Sequence, residues 1–174
     1  MPLATDLLST RSRLSYPPAM GTGMNVRQSL GGDHQAIDQR LSDLANAVEG
    51  ANFPTILEVF REVDRGLRAH MYAEERYLFQ PFEETHPQDI AALRRDHDRF
   101  HRKLDELMIQ TELHTLRKES IDALIEELEA HAAKEDKTLY AWADQPAHEA
   151  HRDALFAFLE DRRMALRENG TAGH

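Results

Sequence analysis

The sequence predicts an all-α protein: an up-down-up-down four-helix bundle with an extra C-terminal helix and a flexible N-terminal arm. Three observations carry that reading. Apolar residues recur at steps of three and four along five segments, the pattern of a helix with one buried face. Breakers stand between the segments, at Gly50, at His86-Pro87 and at Pro146. Histidines and carboxylates interrupt four of these seams at alternating depths: early, late, early, late. Short connections make successive helices antiparallel, so that alternation brings every interruption to one level of the bundle.

Residues 1–29 hold Pro2, Pro17, Pro18, Gly21 and Gly23, with Arg11, Arg13 and Arg27 and almost no acids, and read as a flexible or extended arm. Gly31-Gly32 breaks the chain, and Asp33 is placed to cap helix A, about 33–49. Its seam is His34, Ile37, Leu41, Leu44 and Val48. Helix B, from Pro54 to about Glu84, has the seam Ile56, Phe60, Val63, Leu67, His70, Glu74 and Tyr77. Helix C, about 88–112, reads Ile90, Leu93, His97, Phe100 or His101, Leu104 and Met108. Helix D, about 118–143, reads Ile121, Leu124, Leu128, His131, Glu135 and Leu139. A shorter helix E, about 147–167, carries Leu155, Phe156, Leu159 and Met164. The domain reading is therefore an arm at 1–29, a bundle at 30–145 and an added helix and tail at 146–174. Beyond the HxxxE pair of helices B and D, no internal repeat is expected.

The whole composition excludes several classes. With 174 residues the chain suits one domain with a single core. A net charge of -10 argues against nucleic acid and against an anionic membrane surface. No apolar run approaches the roughly 18 residues of a membrane span. The absence of cysteine removes thiolate metal sites, iron–sulfur clusters and disulfides. With no apolar leader the expected compartment is the cytoplasm.

The chemistry lies in His34, His70, Glu74, His97, His101, His131 and Glu135. The i,i+4 spacing of His70/Glu74, His97/His101 and His131/Glu135 puts each pair on one helix face. Polar groups on a buried seam cost roughly 2–7 kcal/mol each unless something satisfies them, and a shared metal centre satisfies all of them together. Seven donors exceed the four of a tetrahedral zinc. They suit two metals of higher coordination, with the two carboxylates bridging, and a thiolate-free, imidazole-rich set favours non-haem iron. Asp136 is the alternative to Glu135, which aligns better with His131 on a regular helix. His101 competes with Phe100 for the inward position. Tyr77 is read as core with a polar tip, or as a hydrogen-bond partner of a ligand. Glu75, His86, His114, His148, His151 and His174 are read as surface or loop residues, His148 and His151 with the option of an incidental metal site.

The text DHQAI at His34, HMYAE from His70 to Glu74, HDRFH from His97 to His101 and HAAKED from His131 resembles the hemerythrin-like (HHE cation-binding) family, over roughly residues 28–143. The resemblance implies the five histidines as ligands, Glu74 as one bridge, and two oxo- or hydroxo-bridged non-haem irons. It also implies O2 or another small diatomic as the partner, for sensing, storage or detoxification, with Leu78, Phe79, Phe100 and Leu104 as the apolar wall; a homodimer is compatible with it. Two other classes compete. A ferritin-like oxidase or peroxidase needs a Glu-x-x-His pair on each of two helices, and the sequence offers only Glu83 to His86, beside a proline. A metal-free interaction bundle, or an iron-responsive regulatory module, is the remaining alternative, and the metal-free form leaves the polar seam residues without partners.

Overall fold

The computed structural model describes residues 25–171, with side chains through Arg162. Among these residues the chain is helical, with no strand. The main helices are α1 (Val26–Glu49), α2 (Phe53–Glu74), α4 (Pro87–Glu112), α5 (Lys118–Lys137) and α7 (Glu149–Thr171), with short segments α3 (Gln80–Phe82) and α6 (Leu139–Ala143). A π-helical turn, Glu75–Phe79, joins α2 to α3, and a 3-10 turn, Pro146–His148, leads into α7. The expected all-helical class is borne out, and no described helix is long and apolar enough to cross a membrane.

Helix α1 starts seven residues before the expected Asp33, and its start explains why. The Asn25 side chain accepts from the Gln28 amide at 2.8 Å, and Gln28 Oε1 accepts from the Asn25 amide at 3.2 Å. This reciprocal cap satisfies two end donors. Val26 and Leu30 are then buried, which offsets the roughly 1 kcal/mol that each helical glycine costs. Gly31 and Gly32 thus lie inside the helix, and Asp33 is a buried residue of α1 rather than its cap. The rest of the expected arm, residues 1–24, lies outside the described residues.

Helix α1 packs on α2 and α5, and α4 packs on the same two helices. The second helix pair repeats the first in register. Buried Leu30, Ile37, Leu41 and Leu44 of α1 correspond to buried Leu93, Phe100, Leu104 and Leu107 of α4. Phe60, Val63, Leu67 and Leu78 correspond in the same way to Ile121, Leu124, Leu128 and Leu139. The connections match as well: Ala51 (φ 50°) and His114 (φ 55°) occupy one register, both in the left-handed region. The HxxxE pair expected from the sequence is thus part of a longer register match, carried by buried positions more than by residue identity.

The core falls into two apolar clusters. One gathers Leu41, Leu44, Phe60, Val63, Phe100, Leu104 and Leu124. The other gathers Val26, Leu30, Leu78, Phe79, Leu93 and Leu139, and α7 closes it with Leu155 and Leu159. Where the two meet, the seams carry histidines and carboxylates instead of aliphatic side chains.

Candidate metal centre

Six of the seven expected donors converge between the two core clusters. They form two groups of four, each able to hold a metal ion: His34, His70, Glu74 and Glu135, and His97, His131, Glu74 and Glu135. Both carboxylates belong to both groups, one oxygen to each. Glu74 Oε1 lies 3.4 Å from His70 Nε2, and Glu135 Oε2 lies 3.4 Å from His34 Nε2. On the other side, Glu74 Oε2 lies 3.4 Å from His97 Nε2, and Glu135 Oε1 lies 2.8 Å from His131 Nε2. The ring nitrogens face each other in pairs, His34 with His70 at 2.8 Å and His97 with His131 at 3.1 Å. Two nitrogens held about 2.1 Å from one metal at a right angle are about 3.0 Å apart. The donor spacing fits an ion in each group.

Carboxylates also stand behind the rings. His97 Nδ1–H donates to Glu75 Oε1 at 2.8 Å, and His131 Nδ1–H to Asp96 Oδ2 at 3.3 Å. Lys134 also donates to Asp96. Asp33 Oδ2 is 4.0 Å from His70 Nδ1, and Asp38 acts on His34 through its charge. An acceptor on Nδ1 turns Nε2 inward as the ligand atom. The dipeptide Asp-His occurs twice, at Asp33-His34 and Asp96-His97, and each Asp faces the histidine of the next helix. That repetition is the sequence signal by which these two aspartates were findable. Glu75, expected on a solvated face, is instead half-buried against His97.

Both shared glutamates are followed by a helix defect at the same register. After Glu74 comes the π turn, and after Glu135 helix α5 breaks at Thr138, with φ -120° and ψ -89°. On a regular helix a residue five positions on points about 140° away. The defects turn that residue inward in both halves. Phe79 stacks on His97, with centroids 5.2 Å apart at 28°, and Tyr140 stacks on His34 at 6.0 Å and 29°. Defects of this kind recur at functional sites. Tyr140, which periodicity excludes from the seam, donates its hydroxyl to Glu74 Oε1 and lies 3.2 Å from Glu135 Oε2. Tyr77, the tyrosine that the spacing singles out, packs on Phe158 of α7 with centroids 5.3 Å apart.

The protons follow this geometry. Burial pulls the His97 imidazolium down, but Glu135, Glu74 and Glu75 outweigh it and raise its pKa to about 11. Burial pushes Glu135 up, but His131, His34 and His97 hold it well below the usual carboxylate range. Burial, then the charges of Glu135 and Glu74, push the Tyr140 phenol well above its ordinary value, so it remains a hydrogen donor.

His101 is not brought to this cluster. Its Nδ1 is 3.0 Å from Arg68 Nη1, in a network with Asp64 and Asp105, while neighbouring Phe100 is fully buried and packs on His131 at 5.1 Å. Asp136 faces outward and pairs with Arg27 at 3.3 Å. His114 is exposed; His86 stacks on Trp142 at 3.7 Å, and His148 meets Phe82 at 4.6 Å. His174 lies outside the described residues. Leu78, Phe79, Phe100 and Leu104 are all fully buried.

Comparison with known families decides the affiliation. The hemerythrin HHE cation-binding domain profile matches residues 27–143, from the first turn of α1 to the end of α6. The chain belongs to this hemerythrin family. No curated protein and no solved structure matches it. The α7 helix lies beyond the hemerythrin match and supports it from outside, by packing on the π turn.

The donor chemistry fits the cation binding that the hemerythrin domain's description names. Glu74 and Glu135 are fully buried, yet Glu74 Oε2 and Glu135 Oε1 have no hydrogen-bond partner, and neither has His70 Nδ1. Buried carboxylate oxygens left this way cost several kcal/mol unless a cation compensates them. A cavity of about 30 Å³ adjoins the cluster, bordered by His34, His70 and His131 and by Ile37, Leu67, Met71, Phe100 and Leu128. It has room for one molecule about the size of water or a diatomic.

Proposed function

We propose that the chain is a di-iron hemerythrin-like protein that binds O2, NO or peroxide, in sensing, storage or detoxification. The observation that carries this reading is the sharing of Glu74 and Glu135 by two groups of histidines, one carboxylate oxygen to each group. His34 and His70 would hold one iron and His97 and His131 the other, with Glu74 and Glu135 offering an oxygen to each. The up-down-up-down course of α1, α2, α4 and α5 is the arrangement that serves this role, because it puts early and late residues of successive helices at one level. Two irons, each able to change by one electron, supply the two electrons that O2 uptake or peroxide reduction takes.

The protein's own side chains set the terms. The cavity is bordered by Ile37, Leu67, Met71, Phe100 and Leu128 and by the carboxylates Asp38 and Glu129, a border that suits a small neutral ligand and disfavours larger anions. Glu75 and Asp96 orient the rings of His97 and His131. The Tyr140 hydroxyl stands at the carboxylate oxygens that face His34 and His70, placed to donate a hydrogen bond or to become a further oxygen ligand. Neither role exists in a site made of histidines and carboxylates alone, and both favour handling of peroxide or NO over simple O2 carriage.

The test is metal analysis with an optical spectrum of aerobically purified protein. The expected result is two irons per chain and the near-ultraviolet bands of a coupled diferric pair, followed by reduction and re-exposure to O2, NO and peroxide in turn. One zinc per chain, or no metal after reconstitution with ferrous iron, rejects the reading in favour of a metal-free bundle.

A further inference from the structure

We infer that the two metal positions are unequal and fill in order: the His97–His131 position binds first and tightly, and the His34–His70 position is the exchangeable one that responds to metal supply. The inference rests on the two-metal reading and adds its regulation. It comes from comparing the two halves of the bundle, which repeat in register and differ at three places around the site.

The first difference is Glu75 against Asp136. Glu75 reaches across to accept from His97 Nδ1 at 2.8 Å, whereas its register mate Asp136 faces outward to Arg27. Both rings of the His97–His131 pair thus donate to a carboxylate. In the other pair, His70 Nδ1 makes no hydrogen bond and faces Asp33 only at 4.0 Å, against 3.3 Å from His131 Nδ1 to Asp96. Such outer contacts are worth 10–100-fold in metal affinity, as an order of magnitude.

The second difference is Phe79 against Tyr140. The Tyr140 hydroxyl sits on Glu74 Oε1 and Glu135 Oε2, the two oxygens that face His34 and His70. Phe79 has no hydrogen to give, and the two oxygens on its side, Glu74 Oε2 and Glu135 Oε1, are the ones without a hydrogen-bond partner. A cation arriving between His97 and His131 meets carboxylate oxygens that carry no hydroxyl donor and have only histidine nitrogens beside them. One arriving between His34 and His70 must displace the phenol or share its oxygens with it.

The third difference is exposure. His97 is fully buried, while the side chain of His34 is 18% exposed and borders the cavity, with Asp38 one turn on in the register that His101 holds on α4. Once the first cation is held, the charge of the shared glutamates is partly neutralised and the second cation meets repulsion from the first. The outer contacts, the phenol and the exposure act in the same direction, and the proton that His97 must release before its Nε2 can bind acts against them. Uptake of the small ligand at the cavity side therefore requires metal enough to fill the weaker position.

The experiment is an anaerobic titration of the metal-free full chain with Co2+, in competition with a chromophoric chelator. The expected result is two steps separated by at least about tenfold in affinity. Glu75→Ala, at a half-buried position, should weaken the first step about 10–100-fold and leave the second unchanged. His34→Ala should retain one tight ion. Two ions bound with indistinguishable affinity, or a tight step that survives Glu75→Ala and is lost in His34→Ala, overturns the order while leaving the two-metal reading intact. Saturation at one Co2+ per chain overturns both.

Discussion

The Tyr140 hydroxyl donates to Glu74, joining two residues 66 positions apart across the middle of the core. The bond links the end of the first helix pair to the end of the second, and it satisfies a fully buried carboxylate oxygen. Tyr140→Phe keeps the ring and its packing but removes the donor. The metal-free protein should lose about 1.5–3 kcal/mol in urea unfolding, the range for a hydrogen bond to a charged group. The loss should shrink when metal is bound, because the cation then compensates the oxygen. An equal loss with and without metal would falsify that account.

The choice between Glu135 and Asp136 follows from burial. Glu135 is fully buried among His131, His34 and His97, while Asp136 is 53% exposed and paired with Arg27. Glu135→Ala should reduce the metal bound per chain. Asp136→Ala should leave metal content unchanged and shift stability by no more than about 0.5 kcal/mol. Elemental analysis of both variants after dialysis checks it, and metal loss in Asp136→Ala rejects the assignment.

The seams were legible because apolar period and ligand spacing reinforce each other: His70, Glu74, His131 and Glu135 occupy positions where the 3.6-residue period puts the core. What lay beyond reach depends on departures from that period. Phe79 and Tyr140 meet the site only because of the π turn and the Thr138 break, and no propensity places either defect. The start of α1 was misplaced because Gly31-Gly32 carries a strong local signal, while the Asn25–Gln28 cap and the burial of Val26 and Leu30 are worth more. His101 sits at the spacing of a ligand, but Phe100 takes the inward face and Arg68 holds the imidazole outside.

His101 therefore lies outside the donor cluster, beside Arg68. His101→Ala should keep two metals per chain, with stability changed mainly through the loss of an Arg68 partner. His97→Ala should lose at least one metal. Loss of iron in His101→Ala, measured by elemental analysis, would show that the ring swings inward on metal binding.

The loop residues Ala51 and His114 hold φ of 50° and 55°. A residue with a Cβ pays roughly 1–2 kcal/mol for that conformation, and glycine does not. Glycine's greater freedom in the unfolded chain offsets part of the gain. Ala51→Gly should raise stability by a few tenths to about 1 kcal/mol with no effect on the site, which is far along α2. His114→Gly should gain less, because it also loses the ring contact with Phe53 at 4.5 Å. Thermal unfolding of the two variants gives the comparison, and equal or reversed gains reject it.

Protons and metal compete for His97. Burial lowers its basicity, but Glu135, Glu74 and Glu75 raise it to about 11 in the metal-free protein. The sign follows from linkage: a folded pKa above the unfolded value of about 6.5 means stability that is complete below 6.5 and is lost as pH rises through about 11. Metal-free protein should therefore unfold more easily as pH is raised across that window. Metal binding has the opposite dependence, because Nε2 must shed its proton to become a ligand. At pH 8 a cation entering the His97–His131 position should release at least about one proton, so affinity rises with pH. Calorimetric titrations in buffers of different ionisation enthalpy count that proton. Uptake without release would mean that His97 is already neutral, and that the three carboxylates around it are not charged as the geometry implies.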